Sequence, residues 1–286
     1  MSDDRSKNLL KSKSFWVRTI SGLIMSLVLI AIFVIGYDVM LIFFCLLSLL
    51  GSFELNRALK LGWSAPCFVT YAAIIAHYVF LRFVDHKYLL LVYAVAMIIL
   101  LALFVFTFPK YELQQIFGAY FGIFYVGVTL SLIYLLRIHP PSGAYLVWLA
   151  VLSSWGCDIS AYFFGMLFGK HPFVPKLSPK KSVEGAIGGI VGSIILAVAY
   201  GFAVQNVPVI QADIKHAPLV FAVVCAFGAA ASQIGDLAAS AIKRKLDIKD
   251  FGKILPGHGG ILDRFDSMII VAPITYLVAI YAIMIK

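Results

Sequence analysis

Long apolar runs separated by short polar segments cover most of the chain. Nine runs are near the length of a membrane helix, and they fall at about 17–36, 39–52, 66–84, 88–108, 117–136, 144–169, 185–204, 217–242 and 264–285. An α-helix needs about 20 mostly apolar residues to cross a bilayer. The second run is short, and we expect its helix to continue through 52–57 into the interface. The pattern predicts an all-α, polytopic membrane protein with about nine transmembrane helices.

The composition agrees with this pattern and narrows the class of protein. Of the 286 residues, 62% are apolar and 13% are charged, whereas a soluble domain has about 45–50% apolar and about 25% charged residues. One soluble core cannot hide so much apolar surface, so a soluble enzyme is excluded. The unbroken runs also disfavour an outer-membrane β-barrel, because its strands alternate apolar and polar residues.

The distribution of Lys and Arg predicts the orientation. Short cytoplasmic loops retain basic residues; with the N-terminus inside, 18 of the 23 Lys and Arg residues lie inside and five outside. This asymmetry supports an odd number of spans and a cytoplasmic N-terminus. The basic segment 1–13 has no signal-peptide cleavage site after it, so we expect the first helix to remain. The four cysteines lie in or beside apolar runs without CxxC spacing, which predicts core residues rather than a zinc site or disulfides.

Residues 17–136 are almost purely apolar and contain no motif that carries chemistry, whereas polar residues enter the helices from Trp155 onward. We therefore divide the chain into a transmembrane scaffold of about five helices at 1–140 and a catalytic transmembrane domain at 141–286. The second part contains two cytoplasmic loops, 170–184 and 243–263, where we expect the active site.

Two carboxylates fall deep in predicted spans. Asp158 lies in the sixth span and Asp236 in the eighth, where a charge costs several kcal/mol unless it is paired, hydrated or bound to a cation. Each has small or polar neighbours at helical spacing, so we expect both to line one hydrophilic cavity open to the cytoplasm. A hard divalent cation with oxygen ligands would offset the charge. The alternative is a helix-packing stripe with a buried, hydrogen-bonded Asp.

The loop 170–184 can form an anion site. Ser182 is a plausible N-cap for the seventh span, and Lys180 and Lys181 lie beside the backbone N–H groups of that helix start. The alternative is that these lysines are only solvated at the membrane surface. The glycines that follow, Gly185, Gly188, Gly189 and Gly192, predict close helix packing rather than nucleotide binding.

The loop 243–263 is the most informative segment. Its basic residues suit a polyphosphate, and the lack of interleaved aromatics argues against nucleic acid as a partner. Asp263 and Asp266, three residues apart, could hold a metal between them. The glycine-rich segment 256–260 can approach a ligand closely. His258 is a candidate substrate contact, although a histidine in a loop is often only a hydrogen-bonding residue.

At this loop the sequence resembles the phosphatidate cytidylyltransferase (CDP-diacylglycerol synthase) family. The signature residues of that family are present here as Ser240, Lys243-Arg244, Lys249-Asp250, Pro256-Gly-His258-Gly259-Gly260 and Asp263-Arg264-Phe-Asp266. Asp158, the segment 178–185 and the segment 233–236 also resemble family motifs. The specific resemblance covers about 150–270; the first 140 residues match only as a string of spans.

The resemblance implies a Mg²⁺-dependent transfer of CMP from CTP to phosphatidic acid, giving CDP-diacylglycerol and pyrophosphate, at the cytoplasmic side of a bacterial inner membrane. It leaves open a second metal or a monovalent cation, and it implies a homodimer. The catalytic residues would be Asp236, Asp263, Asp266, Lys243 and Arg264, and the metal ligands Asp236, Asp263, Asp266 and, deeper, Asp158. Substrate binding would fall to Ser178, Lys180, Ser182, Lys243, Arg244, Lys249, Asp250, His258, Gly259 and Gly260.

Two other classes of function remain open from the sequence. An ion-coupled transporter would also place carboxylates in the membrane, but here the candidate chemistry clusters in two loops on one side. A CTP-dependent polyprenol or lipid kinase uses similar physics and would transfer the γ-phosphate instead.

Overall fold

The chain forms a bundle of membrane-length helices with one β-hairpin at one end. In the computed structural model, residues 13–255 and 259–285 are described. The elements are α1 Lys13–Ile35, α2 Tyr37–Ala58, α3 Ala65–Phe83, α4 Leu89–Phe106, α5 Leu113–Ile138, α6 Gly143–Phe168, β1 Pro172–Val174, β2 Ser178–Ser182, α7 Val183–Val204, α8 Pro208–Asp213, α9 Ala217–Lys245 and α10 Leu262–Met284. Strands β1 and β2 pair antiparallel.

The structure confirms the predicted all-α membrane fold. Helices occupy all nine predicted runs, and eight of the described helices are long and apolar enough to cross a membrane. The apolar part of α1, Thr19–Ile35, is a ninth apolar helix. Helix α2 continues to Ala58, as expected for the short second run. The β-hairpin was not predicted, and it lies inside the first of the two candidate loops.

Local sequence signals set several helix ends. The side chain of Ser182 accepts a hydrogen bond from Gly185 N at 3.1 Å, which confirms the predicted N-cap of α7. Glu112 and Gln115 form a capping box at the start of α5. Gly36, at φ 70°, separates α1 from α2 in a conformation that favours glycine. These local signals set where α2, α5 and α7 begin.

Hydrogen bonds between helices satisfy polar groups inside the first half of the chain. His77 on α3 contacts Ser131 Oγ of α5 at 2.8 Å through Nε2 and Tyr93 OH of α4 at 2.7 Å through Nδ1. Ser48 Oγ of α2 lies 3.0 Å from Tyr78 OH. A bilayer offers such groups no partner, so pairing them within the protein avoids a cost of about a kcal/mol or more each.

One apolar core joins the two segments that the sequence analysis separated. It contains Phe33 and Phe44 from the first segment and Phe265 and Met268 from the second, all almost fully buried. The proposed boundary near residue 140 falls in the turn between α5 and α6. The division into scaffold and catalytic domain stays a prediction.

The glycine-rich face of α7 packs against α6 of the same chain, as predicted. A Cβ added at Gly188 would overlap Phe164, and one at Gly189 would lie 3.0 Å from the carbonyl oxygen of Cys157. The glycines therefore allow two helices of one chain to approach closely. This face is consequently not available for a contact between two copies. The four cysteines are free thiols, and Cys67, Cys157 and Cys225 are buried, which confirms their assignment as core residues.

Gly201 on α7 gives a test of the equally close packing of α7 against the start of α9. A Cβ there would lie 2.5 Å from Pro218 Cα and 2.8 Å from Pro218 N, which are rigid backbone atoms. We expect Gly201→Ala to lower the thermal unfolding midpoint of the detergent-solubilised protein by several degrees, because overpacking costs about 1–3 kcal/mol. Gly122→Ala is the control, since its nearest neighbour would be Leu55 Cδ2 at an ordinary 3.4 Å. Equal midpoints for the two variants would contradict the packing described.

Candidate active site

A polar cavity of about 960 Å³ opens at the hairpin end of the bundle, bounded by α1, α6, α7, α9, α10 and β2. Its volume is within the range of roughly 300–1,000 Å³ that ligand cavities occupy. The sequence-predicted residues that line it are Asp158, Ser178, Lys180, Ser182, Asp236, Asp263, Arg264 and Asp266, and Lys181 lies with them. The structure thus brings residues from both candidate loops and from the two acidic spans to one cavity.

Carboxylates reach the cavity from three helices. Asp158 comes from α6, Asp236 from α9 and Asp266 from α10. Asp236 forms an ion pair with Lys181, and both side chains are about 30% exposed, at 29% and 31%. Asp266 is 7% exposed, and its Oδ1 accepts a hydrogen bond from Ser267 N at 2.8 Å. The convergence of Asp158 and Asp236 on one cavity confirms the geometry expected from their spans.

The four predicted metal ligands do not form one ligand set. Among the residues that the structure describes, no group of three or more His, Cys, Asp and Glu side chains is arranged to hold a metal ion. Asp263 contacts other protein groups instead. Its Oδ1 accepts from Lys243 Nζ at 2.9 Å, and its Oδ2 accepts from Phe251 N at 2.8 Å and from Gly260 N at 3.0 Å. Asp263 therefore holds the α9–α10 loop closed beside the cavity.

A second, cationic pocket of about 250 Å³ adjoins the cavity. The residues lining it are Leu177, Ser178, Pro179, Lys180, Ser240, Lys243, Arg244 and Lys249. Ser178 and Lys180 line both compartments, so β2 forms the boundary between them. Four of the eight lining residues are cationic, and no carboxylate is among them, which makes this pocket suited to a polyphosphate.

Glu184 holds the hairpin in place. Its Oε2 accepts from Lys170 N at 3.0 Å and from His171 N at 3.2 Å, and its Oε1 contacts His171 Nδ1 at 2.5 Å. Since Glu184 is in the first turn of α7, these bonds tie the start of the loop to the start of the helix. The lysines of β2 are thereby directed toward the two compartments.

Some predicted residues lie outside both compartments. Asp250 lines neither of them, although Gly259 approaches it: a Cβ on Gly259 would lie 3.6 Å from Asp250 Cβ. Gly259 has φ 85° and so requires glycine. Gly260 lies where the loop returns to α10, and its N–H donates to Asp263 Oδ2. His258 falls outside the described residues, so its predicted substrate contact stays a prediction.

The sequence analysis missed Glu54. This carboxylate, fully buried near the end of α2, accepts hydrogen bonds from Ile261 N at 3.1 Å and from Leu262 N at 2.8 Å. Glu54 thus lies in the part of the chain where the sequence shows no motif that carries chemistry, and it contacts the loop beside the cavity. From the sequence alone, a single buried Glu close to a helix end cannot be distinguished from a Glu that is solvated at the membrane interface. The one available signal was its position among apolar residues, between Phe53 and Leu55.

One wall of the cavity is apolar. Met25 on α1 and Ile159, Tyr162 and Met166 on α6 line it. The three α6 side chains are also strongly exposed, at 59%, 67% and 61%. The cavity therefore has an exposed apolar wall beside its polar lining.

Comparison with known proteins gives consistent matches. Residues 16–282 match the family described as "Cytidylyltransferase family". A protein of Thermotoga maritima named phosphatidate cytidylyltransferase is 37% identical over 160 residues, covering 56% of this chain and 58% of the relative. A protein of that name from Bacillus subtilis is 37% identical over 160 residues, covering 55% and 56%. A third, from Staphylococcus haemolyticus, is 33% identical over 270 residues, covering 92% and 98%.

The extent of these matches differs. The chain spans just over half the length of the Thermotoga and Bacillus relatives in their alignments, and almost the whole length of the Staphylococcus relative. The long alignment and the family match both include α1 to α5, where the motif-based resemblance was weak.

Proposed function

Because this chain belongs to the cytidylyltransferase family, we propose that it is a phosphatidate cytidylyltransferase. It transfers CMP from CTP to phosphatidic acid and so makes CDP-diacylglycerol for phospholipid synthesis. One observation carries this proposal best: a cationic pocket and an acidic cavity with one apolar wall share the boundary formed by Ser178 and Lys180. A reaction between a nucleotide and a membrane lipid requires such a junction.

The two compartments suit the triphosphate of CTP and the phosphate of the lipid. In this proposal the β- and γ-phosphates lie in the cationic pocket, near Lys180, Arg244 and Lys249, and become the pyrophosphate that leaves. The α-phosphorus lies at the shared wall, and the lipid phosphate approaches from the cavity beside Lys181 and Arg264. Cationic side chains on both sides would reduce the repulsion between the two anions.

The chemical step is a displacement at the α-phosphorus. An oxygen of the lipid phosphate forms a new bond to that phosphorus, and the bond to the oxygen bridging the α- and β-phosphates breaks. The electron pair leaves with pyrophosphate, and the lipid keeps CMP in a new phosphoanhydride. The attacking oxygen is already ionised at neutral pH, so no dedicated general base is needed. The protein supplies orientation and a positive environment for the leaving oxygens.

The donor set fits Mg²⁺ in the way that nucleotide enzymes usually bind it. Mg²⁺ keeps several waters and takes one or two carboxylates together with substrate phosphates, so three converging protein ligands are not needed. Asp236 and Asp266 would hold it, with Asp158 deeper in the cavity. When bound, it would withdraw charge from the phosphate oxygens during the transfer. Asp263 contributes less directly, because three protein hydrogen bonds already occupy its oxygens.

The lipid would enter from the bilayer between α1 and α6. The apolar wall at Met25, Ile159 and Met166 suits acyl chains, while the headgroup moves toward the carboxylates and lysines. The tails then stay in lipid throughout, which avoids exposing them to water.

The site faces the cytoplasm of a bacterial inner membrane in this proposal. Glu54 of α2 contacts Ile261, and Lys181 of β2 contacts Asp236 of α9, so the two loops that the charge count assigns to one side lie at the same end of the bundle. The opposite side contains only five of the 23 Lys and Arg residues, including Arg82 and Lys87. The positive-inside rule then sets the direction. A homodimer remains a proposal that rests on the resemblance alone, since the glycine-rich face of α7 is occupied within the chain.

The first test is direct turnover. Purified protein with CTP labelled at the α-phosphate, phosphatidic acid and Mg²⁺ should give labelled lipid and an equal amount of pyrophosphate. We expect Asp236→Asn to lower kcat about a hundredfold or more, because it removes a charge that acts on the transferring phosphates. EDTA should stop the reaction and Mg²⁺ should restore it.

Asp247→Asn is the matched control, because Asp247 follows the same helix and lines neither compartment. Label in the lipid only from γ-labelled CTP would indicate a lipid kinase. If the folded protein turned over no CTP at all, the ion-coupled transporter would be the remaining alternative. Full activity of Asp236→Asn, or full activity in EDTA, would overturn the metal assignment.

A second test separates the two binding sites. Lys249→Met should raise KM for CTP about tenfold, because a hydrogen bond to a charged group is worth about 1.5–3 kcal/mol, and leave KM for the lipid unchanged. Ile159→Trp should do the reverse by narrowing the gap between α1 and α6. The controls are Lys245→Met and Leu27→Trp, which alter residues near each site that line neither compartment. Parallel changes in both KM values would argue against separate compartments.

The orientation can be measured with a membrane-impermeant thiol reagent on intact cells. Lys87→Cys should react and Lys245→Cys should not react until the membrane is permeabilised. The wild-type chain provides the background, since three of its four cysteines are buried. The opposite labelling pattern would reverse the proposed topology.

A further inference from the structure

The loop between α9 and α10 closes at a narrow neck. Phe251 and Gly252 on its outgoing side meet Gly260 and Ile261 on its returning side, and a Cβ on Gly260 would lie 2.6 Å from Gly252 N. Within the neck, Leu255 N donates to Gly259 O at 2.9 Å. The orientation of the first turn of α10 depends on this closure, because that turn begins directly after the neck.

Two carboxylates hold the neck from opposite sides. Asp263 accepts from Phe251 N and Gly260 N on the cavity side. Glu54 of α2 accepts from Ile261 N and Leu262 N on the other side, at 3.1 and 2.8 Å. Four backbone N–H groups around the neck are therefore satisfied by carboxylates, and hydrogen bonds to charged groups are about twice as strong as neutral ones.

Glu54 is suited to position the loop rigidly. Its side chain is 0% exposed, and its negative charge lies at the start of α10, where the helix dipole favours an anion. Arg57, one turn further along α2, donates from its Nη2 to Phe251 O at 3.1 Å. Helix α2 thus contacts both sides of the neck, at Phe251 and at Ile261.

The Glu54 carboxylate occupies the space that side chains at Gly252 and Gly260 would need. A Cβ at Gly252 would overlap the Glu54 carboxylate and would otherwise come no closer than 3.0 Å to the Gly260 backbone. A Cβ at Gly260 would overlap the same carboxylate and also meet Gly252 N. Only the first of these two obstructions can be relieved by changing Glu54 alone.

We propose that Glu54 is a positioning residue of the cytidylyltransferase site: from the first half of the chain, it fixes the neck of the α9–α10 loop and so directs Asp263, Arg264 and Asp266 toward the cavity. The inference rests on the proposed function for its activity readout and on the hydrogen bonds for its structural readout. It acts through the loop and does not touch the cavity itself.

The experiment compares Glu54→Gln and Glu54→Asp with wild type. The amide of Gln would present N–H toward backbone N–H groups, so we expect kcat to fall roughly ten- to a hundredfold. Amide hydrogen exchange at 259–262 should accelerate, while exchange in the centre of α9 stays unchanged. Glu54→Asp should retain more activity than Glu54→Gln, because it keeps the charge. Glu112→Gln is the control, because Glu112 also caps a helix start, but that helix is α5 rather than α10.

A paired substitution gives a readout that loss of stability alone would not produce. Glu54→Asp shortens the side chain by one methylene and makes room for a Cβ at Gly252. We therefore expect Glu54→Asp to restore activity to Gly252→Ala at least in part, and not to Gly260→Ala. Rescue of both glycine variants, or of neither, would overturn the proposal even if Glu54→Gln failed to fold.

The outcomes separate this inference from the proposed function. Wild-type kcat and exchange in folded Glu54→Gln would overturn the positioning role and leave the transferase activity untouched. A wild-type protein without cytidylyl transfer would overturn the proposed function, while amide exchange at 259–262 would still report on Glu54.

Discussion

Charge inside the helix bundle is the constraint on which this structure depends. A lone carboxylate or ammonium group there costs several kcal/mol, and a pair is tolerated only with good geometry and further hydrogen bonds. The described chain meets this requirement with ion pairs of Lys181 with Asp236 and of Lys243 with Asp263. Glu54 meets it with backbone N–H groups. The charged end of the bundle is therefore a connected set of partners rather than a collection of independent residues.

This constraint explains why two distant parts of the chain share the site. A loop rich in glycine loses much conformational entropy when it is ordered. Asp263 alone lies on one side of the α9–α10 neck and cannot hold its other side. A second carboxylate on the far side has to come from a neighbouring helix, and α2 supplies it as Glu54. The first half of the chain thus helps to hold the loop beside the cavity, although its own sequence is almost wholly apolar.

The helix positions and the cavity residues were predictable from the sequence, whereas the hydrogen-bond partners of the buried carboxylates were not. Hydrophobic runs located all nine helices because the bilayer sets their length, and Asp158 and Asp236 were recognisable because a charge in such a run is rare. The contact of Glu54 with Leu262 spans 208 positions, and no local pattern encodes it. The role of Asp263 was also hidden: the spacing to Asp266 suggested a metal, but the backbone geometry of the loop directs its oxygens to Phe251 and Gly260.

The ion pairs around the cavity also bear on how an anionic ligand can bind. Each of the two lysine–aspartate pairs is nearly neutral, so these four ionised groups add little net charge to the site. A polyphosphate that binds the lysines must compete with their carboxylate partners, and each carboxylate it releases becomes a ligand for a cation. An anion and a cation would therefore favour each other's binding, because together they would replace both partners of a pair. A nucleotide that arrives with a divalent cation satisfies this condition, whereas either one alone leaves a buried charge without its partner.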